Sequence, residues 1–161
     1  SRYRADLGND LGNLVSRLLH MCANYFSSVV PENHEPEKPE LELQKKWKST
    51  QKISKAFFEE FQFSLGLEQV SRFIRAINKY ADNRVPWKLA KSAEEADHKN
   101  LQTCLSNMVE ALRLANSLLV AVMPEIHAKI NERLGLTACK SWQHDLIWDH
   151  RLNGKTIKEK I

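Results

Sequence analysis

Trp87 directly follows Pro86 and is bracketed by Arg84, Lys88 and Lys91 in the stretch NRVPWKLAK. A proline at the first position of a helix costs no hydrogen bond, because the N–H groups of a first turn lack intrahelical partners. Such unpaired N–H groups attract phosphate oxygens, and Arg84, Lys88 and Lys91 add positive charge beside them. An aromatic face next to an anion site is what an unpaired nucleic-acid base requires. Asp82, just upstream, can accept a hydrogen bond from a cytosine amino group. Burial of the ring as a helix-entry staple fits the same residues, since tryptophan is mostly buried in folded proteins. From this stretch alone the two readings stand level.

A second set lies in the first helical segment. Leu11, Leu14, Val15, Leu18 and Cys22 recur at helical spacing and form one apolar face. Asn13, Arg17, His20 and Asn24 fall together on the other side, with Asn13 and Arg17 one turn apart. Asparagine and arginine offer paired hydrogen bonds to base edges, and a solvated helix face explains the same pattern. Arg72, Arg75 and Lys79 lie opposite another apolar stripe. They suit phosphate contacts, which position a nucleic acid without reading it, or an ordinary charged surface.

Other reactive types do not converge. His144, Asp145, Asp149 and His150 resemble metal ligands in composition, but the two histidines are six residues apart and no H-x-x-x-H pair occurs. His127 reads as a satisfied or surface histidine. There is no Gly-rich phosphate loop, no G-x-S-x-G and no Cys/His pair of recognisable spacing. No catalytic residue and no metal site are expected.

The elements that must position these residues are helical. Five glycines, five prolines and scarce Val/Ile alternation leave little room for strands. Helices are expected over 6–26, 41–65, 68–83 and 93–122, with a short helix entered at Pro86 and another after Pro124 that Gly135 closes. In the second, Ile53, Phe57, Phe58, Phe61 and Leu65 are expected to face the core, with Gly66 as the stop. In the third, Val70, Phe73, Ile74, Ile77 and Ala81 are expected inside. Val85, preceding a proline, is expected to be extended. In the long helix, Leu101, Leu105, Met108, Leu112, Ala115 and Leu119 mark the inner stripe. The acidic, proline-rich segment from Val29 to Glu42 reads as a solvated loop without a site of its own. The fold class is all-α, a bundle of about five main helices.

At 161 residues the chain is one domain long, and 42% apolar content excludes a disordered chain. No apolar run is long enough to cross a bilayer. The polar start lacks a secretory signal and an initiating methionine. Three scattered cysteines, Cys22, Cys104 and Cys139, point to reduced thiols in a cytoplasmic protein. A net charge of +4 is compatible with a polyanionic partner.

Three stretches together resemble one family. NDLGNLVSR from Asn9, INKYADNRVPWKLAK from Ile77 and ALRLANSLLVAVMPEIHAKI from Ala111 are similar to the anticodon-binding domain of bacterial-type methionyl-tRNA synthetases, a class I aminoacyl-tRNA synthetase family. The resemblance runs from about Tyr3 to Ile161 and takes residues 1–161 as one anticodon-binding domain. It implies that Asn13, Arg17 and Trp87 approach the anticodon loop, with Pro86 holding the tryptophan. One departure is Ala121, where the family commonly has a proline. The HIGH and KMSKS motifs of the family's Rossmann core are absent, so the resemblance implies an excised C-terminal recognition domain, not an enzyme by itself. ATP and magnesium would belong to the parent's catalytic domain, acting in cis. The implied partners are initiator and elongator methionine tRNAs, with the CAU anticodon read by stacking on Trp87 and by base-edge hydrogen bonds. No membrane partner is implied. Corresponding domains of the leucine, isoleucine, valine and cysteine enzymes share parts of the pattern. A helical protein-interaction module docking through Trp142 and Trp148 is a reading of a different class.

Overall fold

The computed structural model describes residues 2–137 and 139–158. The outermost residues of the expected 1–161 unit lie outside that range. Seven helices follow one another: α1 (Arg2–Phe26), α2 (Lys38–Glu59), α3 (Phe63–Arg84), α4 (Pro86–Leu89), α5 (Glu95–Leu119), α6 (Pro124–Leu134) and α7 (Trp142–Asp145). Five of them are long, and α4 and α7 are single turns. No strand forms among the described residues; Val29 and Thr156 make an isolated antiparallel bridge. No helix of the described residues is long and apolar enough to cross a membrane.

The organising element is α5. Every residue from Thr103 to Leu119 is buried, and α5 packs against each of the other six helices. A helix buried on all sides sits at the centre of the fold. The expected stripe from Leu101 to Leu119 is therefore one sector of a fully enclosed surface. Polar residues tolerate that position because they are paired. Asn116 Nδ2 donates to His127 O at 3.1 Å and to Asn131 Oδ1 at 2.9 Å. His127 is buried, with Nδ1 donating to Asn116 O at 2.7 Å and Nε2 accepting the Cys139 N–H at 3.1 Å.

The expected inner face of α3 is buried as read, and so is that of α1. The α2–α3 hairpin departs from expectation. The helix expected over 41–65 stops at Glu59, and Phe61 turns the chain with φ of 61°. The inward stripe of α2 is Leu43, Trp47, Thr50, Ser54 and Phe58, while Ile53, Phe61 and Leu65 are exposed. Only Phe58 of the expected set is buried; Phe57 is half-buried. Two small polar residues interrupt the true stripe and concealed it. Gly66 does not stop a helix but lies buried within α3. A Cβ there would come 2.3 Å from Phe58 Cε1, so the missing side chain lets α2 and α3 approach.

The loop before α2 is anchored more firmly than a solvated segment would be. Val30 and Pro31 are buried. Asn107 Nδ2 donates to Asn33 Oδ1 at 3.0 Å, and the His34 N–H donates to Thr103 Oγ1 at 3.2 Å. The three cysteines are free. Burial pushes the thiols of Cys22 and Cys104 up to about 12 and that of half-buried Cys139 up to about 11.

Candidate nucleic-acid interface

The candidate residues come from three elements that meet at one place. Asn78 Nδ2 on α3 donates to Asp10 O on α1 at 3.4 Å. One turn further along α3, Asp82 Oδ1 accepts from Arg17 Nη2 at 2.7 Å. The Arg17 guanidinium in turn lies over the Trp87 ring, with Cζ 5.3 Å from the ring centroid. The arginine thus bridges the acidic residue of α3 and the tryptophan of α4. Its side chain stays 28% exposed and that of Asp82 63% exposed. Asn13 stands exposed on α1, one turn before Arg17.

Trp87 is 37% exposed, so the ring is neither a core residue nor free of the protein. The other tryptophans give their indole N–H groups to protein acceptors: Trp47 to Leu146 O, Trp142 to Ser117 O and Trp148 to His150 Nε2. The Trp87 indole N–H has no protein acceptor among the described residues, and one face of the ring carries the Arg17 guanidinium.

The backbone that presents this ring differs from expectation at Val85. Instead of being extended, Val85 is left-handed, with φ of 48° and ψ of 60°. Its N–H donates to Ala81 O at 3.0 Å and closes α3, while its carbonyl accepts the Lys88 N–H at 2.9 Å and opens α4. One residue therefore caps two helices and reverses the chain. A β-branched residue there costs roughly 1–3 kcal/mol. The N–H groups of Lys88 and Leu89 both bond to Val85 O, so this turn is not the open row of unpaired donors the sequence suggested.

Arg84 also departs from expectation. It faces inward, with its side chain 14% exposed. Glu40, wholly buried on α2, accepts Arg84 Nε at 2.9 Å, Arg84 Nη2 at 3.0 Å, the Tyr80 hydroxyl at 2.5 Å and the Glu37 N–H at 3.0 Å. Burial opposes the charge on Arg84, but Glu40 outweighs it and raises the guanidinium pKa. Arg84 is thus a tie between α2 and the Trp87 turn, and its charge is spent on Glu40. The signal missed in the sequence is Glu40, the partner that turns Arg84 inward. Lys88 and Lys91 are exposed beyond Trp87. Arg75 and Lys79 are exposed on α3, and Arg72 pairs with Glu68 at 2.8 Å. On α1, Asn24 Nδ2 and His20 Nε2 lie 2.9 Å apart and bond to each other.

Three of the four groups that looked metal-like have other side-chain partners. Asp145 and Asp149 pair with Arg151 at 3.1 and 2.9 Å, and His150 bonds Ser106 and Trp148. Among the described residues no three His, Cys, Asp or Glu side chains group to hold a metal ion.

Comparison with known proteins places this geometry in a family. The methionine–tRNA ligase of Caldanaerobacter subterraneus subsp. tengcongensis is 34% identical over 137 residues, 85% of this chain and 21% of its own length. That of Halalkalibacterium halodurans is 33% identical over 160 residues, covering 99% of this chain and 24% of the relative. The chain belongs with the methionyl-tRNA synthetases. It spans about a fifth to a quarter of the length of the curated relatives it matches. The apo Mycobacterium tuberculosis methionyl-tRNA synthetase superposes with a TM-score of 0.89 at 30% identity, over 99% of this chain and 32% of the other. The same enzyme in complex with methionyl-adenylate gives 0.87 over 97% of this chain. No family model matches the sequence. The helices carrying Asn13, Arg17 and Trp87 thus lie within a fold shared along almost the whole chain with methionyl-tRNA synthetases.

Proposed function

We propose that this chain is the anticodon-recognition domain of a methionyl-tRNA synthetase. The observation that carries the reading is the Asp82–Arg17–Trp87 assembly, which joins α1, α3 and α4 around an aromatic ring left half open. An anticodon base splayed from its loop stacks on Trp87, and Asn13 and Arg17 hydrogen-bond base edges, giving preference for CAU. Asp82 orients Arg17 and accepts from a cytosine amino group. Pro86 fixes the turn that presents the ring. Lys88 and Lys91 meet backbone phosphates, so affinity falls as salt rises. Arg84 acts by holding that turn to α2, not by touching RNA.

Ligation of methionine to tRNA, with ATP and magnesium, belongs in this reading to a catalytic domain acting in cis. Docked initiator and elongator methionine tRNAs would present their acceptor ends to that domain. Titration of the purified chain with a CAU anticodon stem-loop tests the reading by calorimetry. Trp87→Ala is expected to weaken binding by roughly 5- to 150-fold, corresponding to about 1–3 kcal/mol of lost stacking, with helicity unchanged. Equal binding of the variant, or of a loop with the anticodon scrambled, would sink it.

A further inference from the structure

A second surface lies on another part of the bundle. Between α2 and the tail a groove of about 540 Å³ is walled by Trp47, Trp142, Leu146, Ile147 and Trp148 and edged by Lys48 and Lys55. No acidic residue lines it. Its volume falls within the range of binding clefts. The walls are set firmly. Arg113, buried on α5, donates to Asp145 O at 2.8 Å and to Ile147 O at 2.6 Å, while Glu110 accepts the backbone N–H groups of Asp149 and His150. The tail backbone is thereby bound to the central helix, yet the Ile147 side chain is left 51% exposed.

The charge beside the groove is one-sided. Lys45, Lys48, Lys52 and Lys55 recur at spacings of three, four and three, which aligns them along one face of α2 over about 15 Å. From Leu43 to Phe58 the helix has no acidic residue. Among the described residues none of these four lysines enters an ion pair. An unneutralised lysine row beside a preformed apolar groove is complementary to a helix with one apolar face and acidic residues along its side. The most exposed apolar wall residue is aliphatic, which favours a protein segment over a stacked nucleic-acid base. The indoles of Trp142 and Trp148 are fixed by their bonds to Ser117 O and His150, Trp142 packs on Phe58, and the exposed anchor point is aliphatic Ile147.

We propose that the α2–tail groove docks an acidic amphipathic helix of a partner protein, with an apolar side chain against Ile147 and acidic residues on Lys48 and Lys55. This surface is independent of the Trp87 interface, and the four tryptophans allow the two to be tested apart. The probe is a four-turn synthetic peptide with leucines on one face and glutamates elsewhere, added to the full 15N-labelled chain. The indole N–H signals of Trp142 and Trp148 are expected to shift on saturable binding, with that of Trp87 unmoved; a CAU stem-loop is expected to shift only Trp87. Ile147→Asp, at an exposed position, is expected to weaken peptide binding at least about tenfold, as is the pair Lys48→Glu and Lys55→Glu. A peptide with lysines in place of glutamates is expected to bind that charge-reversed pair better than the original peptide does. The proposal fails if the Trp142 and Trp148 signals stay fixed up to about 1 mM peptide. It also fails if a scrambled peptide of the same composition binds as well, if Ile147→Asp changes nothing, or if oligouridine moves these signals and the peptide does not.

Discussion

Arg17 is held from two directions: Asp82 Oδ1 accepts from its Nη2 at 2.7 Å, and the Trp87 ring lies under its guanidinium at 5.3 Å. Neither contact takes the pair wholly out of water, since the Arg17 side chain stays partly exposed and that of Asp82 mostly so. Exposed ion pairs and cation–π contacts are each worth about 1 kcal/mol or less. Their value here is orientation, because a planar group pinned at its edge and on its face has little freedom left to lose when a ligand arrives.

Arg17→Lys keeps the charge but removes the planar fork. Binding of a CAU stem-loop is expected to weaken by about tenfold, one bidentate contact being worth roughly 1–3 kcal/mol. The thermal midpoint is expected to move little. Calorimetric titration beside a thermal melt checks both, and an unchanged affinity would remove Arg17 from the interface.

Glu40→Ala leaves the Arg84 guanidinium and the Tyr80 hydroxyl without their buried acceptor. Breaking one side of a buried pair costs about 3–5 kcal/mol, so urea unfolding is expected to shift strongly. Glu40→Gln, which keeps an acceptor oxygen but no charge, is expected to fall between wild type and alanine. A neutral result for Glu40→Ala would mean that the tie between α2 and the end of α3 is dispensable.

Gly66→Ala drives a methyl into the Phe58 ring. Overpacking of this kind costs about 1–3 kcal/mol, read as a lower denaturation midpoint. Combined with Phe58→Leu, the alanine is expected to cost less than it does alone, because the ring it strikes is gone. Additive losses would place the strain elsewhere.

Acid is expected to weaken the fold in two stages, both through the tail. Burial lowers the His150 pKa, and its Nε2 accepts the Trp148 indole N–H at 3.0 Å, so the folded state holds a neutral ring. The unfolded chain takes up that proton first, and stability drops as pH falls below about 6.5. Asp145 and Asp149 lose stability lower down. Burial opposes their ionisation, but the Ser141 N–H for Asp145 and Arg151 for Asp149 outweigh it and hold both carboxyls below their ordinary value. Their contribution is intact above about 4 and lost as pH passes down through the lowered values. Thermal melts across pH are expected to show both declines, and His150→Gln to abolish only the upper one.

The sequence made the helices around α1, α3 and α6 legible because their apolar residues recur without interruption and proline or glycine marks an edge. Gly135, with φ of 71°, closes α6 as its type suggests. It misled at α2, where Thr50 and Ser54 sit on the inward stripe and Ile53 and Phe61 face out. Asn13, Arg17 and Trp87 stood out by residue type and local spacing. Arg84 did not resolve in the same way, because its fate depends on Glu40, 44 positions away. The Glu110–Arg113 pair was equally hidden: at i, i+3 on a helix it looks like a surface bridge, and only the enclosure of α5 turns it into the anchor of the tail.

Enclosure of α5 also divides the molecule by how freely it can vary. A residue from Thr103 to Leu119 answers to neighbours on every side, so a change there disturbs the packing of several helices at once. Asn13, Lys88 and the lysine row of α2 answer mainly to solvent and to whatever docks on them. Ligand preference can therefore drift on the outer helices while the architecture stays put, and a library that mutates only those faces would explore recognition without first having to survive misfolding.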